Sequence, residues 1–356
     1  MRTRKTNLIA AIALAALVAG CGGGDSSGGQ TPTGTTPTPS PVPTPAPTPA
    51  PTPSPTPAPA PTTIPTDWVA GRAATYTQLP DIAGCSAGVM SNTALQDALL
   101  SLNTIRGLHG LPAVTLSTVD QQAAMEASLM MSANSQLSHT PPTTWLCYTA
   151  AGSAGAGSSD LYASFPSPSL SLISNDTIFA GWMTEVNNLV ANSVGHRRWI
   201  LDPFLGTVAY GRVAGQYTST QRIDSAALKV FNNTGSGVAS ASAIPDYVAY
   251  PVGNYPARYF DTSALYSFTV VADKTTTFGG NTSVDFSAAT ITVRATGGST
   301  NLTVSAVAFD NDGYGVPNNL QWKVAGVVAG TSYDVAIANV RVRGVVRSYS
   351  YSFRIV

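Results

Sequence analysis

Along this chain the apolar positions first recur at helical spacing and later switch to the short alternation of strands. In "SNTALQDALLSLNTIRGLHGLP", residues 91–112, Leu95, Leu99, Leu102 and Ile105 share one helical face. Asn92 or Thr93 stands as the cap, and Gly107 and Pro112 mark the exit. "STVDQQAAMEASLMMSANSQLSH", residues 117–139, opens with Ser117 and Asp120 at capping-box spacing and predicts a second helix to about Ser135. A third helix is expected over "NDTIFAGWMTEVNNLVAN", residues 175–192, with Ile178, Trp182, Val186 and Leu189 along one side. In "GHRRWILDP", Trp199, Ile200 and Leu201 read as the start of a buried strand, and "GTVAYGRV" follows as an apolar run bounded by glycines. From about Ala243 the pattern shortens. "YSFTVVA", "SAATITVRA", "NLTVSAVAFD", "LQWKVA", "TSYDVAIANVRVR" and "SYSYSFRIV" are β-branched and aromatic segments separated by Gly, Asn, Asp or Thr, as in an all-β sandwich. The fold class is therefore α+β: a mixed domain at 67–229, a connector at 230–243 and a β-sandwich at 244–356.

The N-terminal 66 residues follow neither pattern. Arg2, Arg4 and Lys5 precede an apolar stretch from Leu8 to Val18, which is too short to span a bilayer and has the length of a signal peptide. It ends in Val18-Ala19-Gly20-Cys21, which resembles the lipobox of bacterial lipoproteins. That resemblance implies cleavage after residue 20, lipidation of Cys21 and attachment to the bacterial cell envelope. Gly22 favours the outer membrane if the source is Gram-negative. Residues 31–66 carry proline at every second position from Pro37 to Pro61, which excludes helix and sheet. As a polyproline-type tether this segment would reach roughly 110 Å at about 3.1 Å per residue.

Charge removes one class of partner. Without Arg2, Arg4 and Lys5 the chain has 15 basic against 18 acidic residues, which leaves no footprint for nucleic acid. No second run of apolar residues is long enough to span a bilayer, so the rest is expected to be soluble, with the lipid anchor its only membrane contact. With Cys21 lipidated, Cys85 and Cys147 remain. In an oxidising compartment a disulfide between them is the default, closing a loop worth roughly 4 kcal/mol in the chain-entropy picture. Two free buried thiols are the alternative.

All three histidines lie in the mixed domain. His109 sits at a helix exit, where a solvated or capping role is expected. His139 ends the second helix, and His196 follows the third, which contains Glu185. Histidine near a carboxylate permits proton transfer or metal ligation at neutral pH. The order Asn103-Thr104-Ile105-Arg106, Ser138-His139, Gly181-Trp182-Met183 with Glu185, then Gly195-His196-Arg197-Arg198-Trp199-Ile200-Leu201 and Pro203 resembles the CAP superfamily of cysteine-rich secretory proteins, antigen 5 and pathogenesis-related 1. The likeness runs over roughly residues 90–213 and is closest to the bacterial branch.

This resemblance implies an α–β–α sandwich with a cleft presenting two histidines, His139 and His196, and two acids, one of them Glu185. The family's Gly-Glu-Asn motif is missing; "AGAGSSDLYAS" stands in its place, so Asp160, with Ser159 beside it, is the candidate for the second acid. Arg197 and Arg198 are expected to hold nearby carboxylates or carbonyls, with Trp199 as structural support. His139 and His196 would form a weak site for zinc or another divalent cation, a chemistry the family implies. No H-E-x-x-H motif is present. The leading reading is a binding module for a metal ion, an apolar ligand, a lipid or a cell-wall component. Metal-dependent hydrolysis in the same cleft is the enzymatic alternative, and adhesion through the β-sandwich a third.

Two motifs point elsewhere. "GCSAG", residues 84–88, fits G-x-S-x-G, but Ser86 lacks the preceding strand and following helix of a nucleophile elbow. "DNDGYG", residues 310–315, begins like a calcium loop yet has Tyr314 and Gln321 where ligands belong, so a turn between strands is expected. The β-domain resembles the immunoglobulin-like regions that follow bacterial CAP domains. Tyr247, Tyr250, Tyr255, Tyr259 and Tyr266 are its candidate aromatic strip, expected for the most part to pack against the neighbouring domain.

Overall fold

The computed structural model describes residues 64–231 and 240–356. The expected signal peptide, Cys21, the expected tether up to residue 63 and most of the connector lie outside them. The mixed half contains the helices α1 Trp68–Thr75, α2 Asn92–Leu108, α3 Gln121–Asn134, α4 Ala150–Gly157, α5 Asn175–Thr184 and α6 Gly195–Ile200. Its strands are β1 Tyr76–Gln78, β2 Val89–Met90, β3 Thr115–Leu116, β4 Ser159–Ala163, β5 Thr207–Gln216 and β6 Arg222–Lys229. The main sheet runs β3-β5-β6-β4, parallel only between β3 and β5.

Residues 208–215 of β5 are all buried, because helices cover both faces of the sheet. Alternate side chains take alternate covers. Tyr210 points to α5, where its ring lies 5.7 Å from that of Phe179 and its hydroxyl donates to Asn175 Oδ1 at 2.8 Å. Gly211 points to α3, whose Ser128 hydroxyl donates to the Gly211 carbonyl at 3.0 Å, and Ser132 does the same to Val213 at 2.9 Å. A Cβ on Gly211 would stand 2.3 Å from the Ala124 backbone. The missing side chain is what allows α3 to lie on the strand. Inside the layer, Arg212 Nε donates to Asp224 Oδ1 at 2.9 Å, with both side chains 1% exposed.

The β-rich half contains β7 Tyr247–Tyr250, β8 Gly253–Tyr255, β9 Tyr266–Val270, β10 Val284–Asp285, β11 Thr290–Ala295, β12 Val304–Asp310, β13 Asn319–Val324, β14 Ser332–Val342 and β15 Val345–Ile355. Four of them form a sheet in the order β12-β13-β9-β7. The other sheet runs β10-β14-β15-β8, with β11 also on β14. Inward aromatics join the two sheets: Tyr266 lies 5.6 Å from Phe353, and Phe268 stacks on Tyr351 at 6.3 Å. Each of the six segments picked out by their β-branched and aromatic content contains one of these strands.

Three expectations need correction. The third helix stops at Thr184 rather than near residue 192, because Glu185 takes a left-handed backbone, φ 59°, and turns its carboxylate back on the chain. Val186 and Leu189 are therefore exposed, at 43% and 81%. "GHRRWI" is helix α6 and not the start of a strand. The cap of α2 is Ser91, whose hydroxyl accepts from the Ala94 amide at 3.1 Å. The Cys85–Cys147 disulfide is formed. Ser86 lies on the loop it pins, in a bridge with Asp81, and no elbow exists there.

Gly211→Ala should push α3 off β5 and cost at least about 1–3 kcal/mol. Gly107→Ala, where a Cβ would meet nothing within 4 Å, should instead gain about 0.5 kcal/mol from helix propensity. Urea unfolding of the two variants checks the difference in sign.

Candidate functional site

The candidate cleft residues meet where α5 ends and α6 begins. The left-handed turn at Glu185 aims its carboxylate at the N-terminal turn of α6. Oε1 accepts the Arg197 backbone N–H at 3.0 Å, while Oε2 accepts from His196 Nδ1 at 2.7 Å and from Asn188 Nδ2 at 2.8 Å. The Glu185 side chain is 3% exposed and that of His196 is 19% exposed, so the imidazole is the part that reaches solvent. The Trp182 ring stacks on it at 6.3 Å and is itself fixed by an Nε1–H bond to the Leu161 carbonyl. With Nδ1–H committed to Glu185, His196 presents Nε2 to whatever enters.

Burial alone would push the His196 imidazolium down. The hydrogen bond and charge of Glu185, with a smaller contribution from Asp160, outweigh it and raise the pKa to about 9. Asp160, on β4 and 2% exposed, moves the same way for another reason: burial, against the opposing pull of His196 and with a smaller push from Glu185, holds its carboxyl well above the usual carboxylate range. Its Oδ2 has no hydrogen-bond partner. Glu185, through both its hydrogen bond and its charge, is the main group that keeps the proton on His196. At neutral pH the imidazole of His196 carries its second proton.

The other candidates stand apart. His139 is exposed, and its Nδ1 donates to the Ala156 carbonyl at 3.0 Å. No hydrogen bond or ion pair joins it to His196, Glu185 or Asp160. The Ser159 hydroxyl turns away to the Gly155 carbonyl at 2.7 Å. Among the described residues no group of three or more His, Cys, Asp or Glu is placed to hold a metal ion. The donors also do not fit one as they stand: His196 is cationic, and both Glu185 oxygens are already accepting hydrogen bonds.

The two arginines of the motif face away from the cleft, into the β-rich half. Arg197 donates to the carbonyls of Met183, Thr184 and Leu265 and to the Ser267 hydroxyl, with its guanidinium 3.6 Å above the Tyr250 ring. Arg198 pairs with Asp310 at 2.9 Å and donates to the Val316 carbonyl at 3.1 Å. The stretch resembling a calcium loop is thus a docking loop; a Cβ on Gly315 would stand 2.5 Å from the Arg198 carbonyl oxygen.

His109 also belongs to this seam: it stands at the C-cap of α2, as one of the two expected roles has it, but it is buried rather than solvated. It donates from Nδ1 to the Ala249 carbonyl at 2.8 Å and accepts at Nε2 from the Tyr255 hydroxyl at 3.1 Å. Burial, then the charges of Arg197 and Arg106, lower its pKa to about 3, so it is neutral. Arg106 holds the far end of the motif through the Ile200 and Asp202 carbonyls at 2.7 and 2.9 Å. Sequence spacing could not have found His109, because its partners lie about 140 residues away.

This arrangement, a Trp-backed His–Glu pair between two helices flanking a covered sheet, lies within residues 99–223, which match the family model for CAP, the Cysteine-rich secretory protein family. The segment belongs to the CAP family. No curated protein matches the chain. The CAP domain here is followed by a many-stranded β region that packs on its signature helix.

The proton on His196 has a consequence for stability. A pKa raised by folding stabilises the folded state while the group stays protonated. The contribution is complete below the ordinary value of about 6.5 and is lost as pH rises through about 9. Imidazole NMR titration should place His196 near pH 9 in the native chain. In Glu185→Gln burial should dominate and carry it below about 6.5.

Proposed function

We propose that the CAP cleft is a binding site for an amphiphile with an anionic or carbonyl head group, and that the chain acts as a binding module rather than a hydrolase. The observation that carries this reading is the 2.7 Å bond between His196 and Glu185. It makes the exposed edge of the imidazole a cationic donor. Asp160 lies behind it, 2% exposed, and its charge adds to the pull on the imidazole proton. A cationic N–H donor suits a carboxylate or an acyl carbonyl. A hydrolase would need His196 as a base, and a histidine protonated up to about pH 9 is a poor base at neutral pH.

The apolar part of the ligand has support from the same turn. Directly after Glu185 the chain exposes Val186, Leu189 and Val190, at 43%, 81% and 65%. Isolated apolar residues on a surface are ordinary, but three within five positions beside a charged donor form an amphipathic rim. A divalent ion has no such support. Envelope attachment through Cys21 completes the reading: a lipid-anchored module that holds an acyl ligand at the end of a proline tether.

Titrating the full chain with dodecanoate below its micellar concentration tests this, with dodecanol and dodecyltrimethylammonium alongside. Dodecanoate should bind best, lose affinity as pH is raised past about 9, and fail on His196→Ala. Saturable turnover of peptide or ester substrates that disappears in His196→Ala would replace this reading with the hydrolytic one.

A further inference from the structure

A concavity elsewhere in the CAP domain shares no residue with the His196 cluster. It is an open groove of about 630 Å³ along α3, within the size range of small-molecule sites. Its floor is Gln122, Glu126 and Leu129, which follow one another on a single helical face. One wall is the loop from Cys85 to Gly88. The other carries Thr143, Trp145 and the run Cys147–Thr149.

The groove is held open by covalent and polar ties. The Cys85–Cys147 disulfide joins its two walls. Asn134, at the end of α3, clamps the second wall by accepting from the Leu146 amide and donating to the Leu146 carbonyl, both at 3.0 Å. Thr149 caps α4 through the Gly152 amide at 2.9 Å and donates its hydroxyl to Glu126 Oε2 at 2.5 Å. Gln122 Nε2 donates to Glu126 Oε1 at 2.8 Å. At the foot of the first wall Gly88 has φ 71°, and a Cβ there would stand 2.4 Å from the Gln78 carbonyl oxygen.

The lining specifies a chemistry. No basic residue faces the groove, so phosphate, sulfate and carboxylate ligands have no counter-charge there. Each Glu126 oxygen already accepts one hydrogen bond and keeps a free lone pair, which suits a ligand hydroxyl donor. Thr143 and Ser86 add hydroxyls, and Gln122 an amide. Trp145 and Tyr148, each half-buried against the core beneath, line the same wall with aromatic surface. Flat aromatic surface beside a few acceptors and hydroxyls matches a ring that is apolar on its face and hydroxylated at its edge. We propose that this groove binds a neutral saccharide chain. An extended peptide is a poorer occupant, because the wall backbone is engaged in the Asn134 clamp and the Trp145-to-Pro142 turn and offers no free strand edge.

Calorimetric titration of the full chain with chitotetraose, cellotetraose and maltotetraose tests the proposal, with a lysine-rich peptide as the cationic comparison. At least one sugar should bind at high-micromolar to millimolar concentration. Trp145→Ala and Thr143→Arg should each weaken that binding roughly tenfold, as loss of an aromatic anchor or a plugged rim does. Thr143 is exposed, so Thr143→Arg decides the matter if Trp145→Ala fails to fold. No binding by any of the three sugars at millimolar concentration, equal affinity in the two folded variants, or binding of the basic peptide instead would overturn it.

Discussion

One guanidinium holds this structure to its shape. Arg197 is 1% exposed, yet its side-chain hydrogen bonds go to carbonyls and a hydroxyl rather than to a carboxylate. A charge in that position is costly unless its donors are satisfied, and here they are satisfied from both halves of the chain at once. Met183 and Thr184 come from the end of α5, while Leu265 and Ser267 come from the β-rich half. The backbone N–H of the same residue fixes Glu185, and Glu185 fixes His196. The electrostatics of the cleft and the docking of the β-domain therefore share one residue. Arg198, His109 and Tyr259 extend the seam, the last through a hydrogen bond to Asp176.

The compact motif "GHRRW" follows from this shared duty. A short helix lets neighbouring side chains point in different directions within one turn and a half. His196 looks into the cleft, Arg197 and Arg198 into the seam, and Trp199 onto Phe231, with ring centres 4.1 Å apart. A strand would have placed His196 and Arg198 on one face and Arg197 on the other. The concentration of charge in a chain that is only 10% charged marks a joint more than a reaction centre.

Local pattern made the long elements legible, and long-range partners decided the rest. Leu95, Leu99, Leu102 and Ile105 announced α2, and the β-branched segments announced the sandwich, because burial on one face leaves its period in the sequence. Helix α4 did not announce itself: "AAGSAGAG" is too glycine-rich to read as helix, and its glycines are there because Gly152 and Gly155 touch α3 closely. The end of α5 was invisible for a different reason. Glu185 is a good helix former, and its left-handed turn is imposed by contacts with residues 11 and 12 positions later. Of the five cleft candidates, the structure brings together His196, Glu185 and Asp160. His139 and Ser159 bond instead to carbonyls of the neighbouring helix.

Native-state hydrogen exchange of the intact chain, comparing the native protein with Arg197→Met, probes this shared joint most directly. In the native chain the slowest amides of β5 in the CAP domain and of β9 in the β-domain should open with one common free energy. Removing the guanidinium strips the carbonyls of both halves of their donors, so a loss of about 3–5 kcal/mol is expected, with the two strands then opening at separate free energies. Unchanged, still-common protection in Arg197→Met would contradict the account and leave the motif as a local feature of the CAP domain alone.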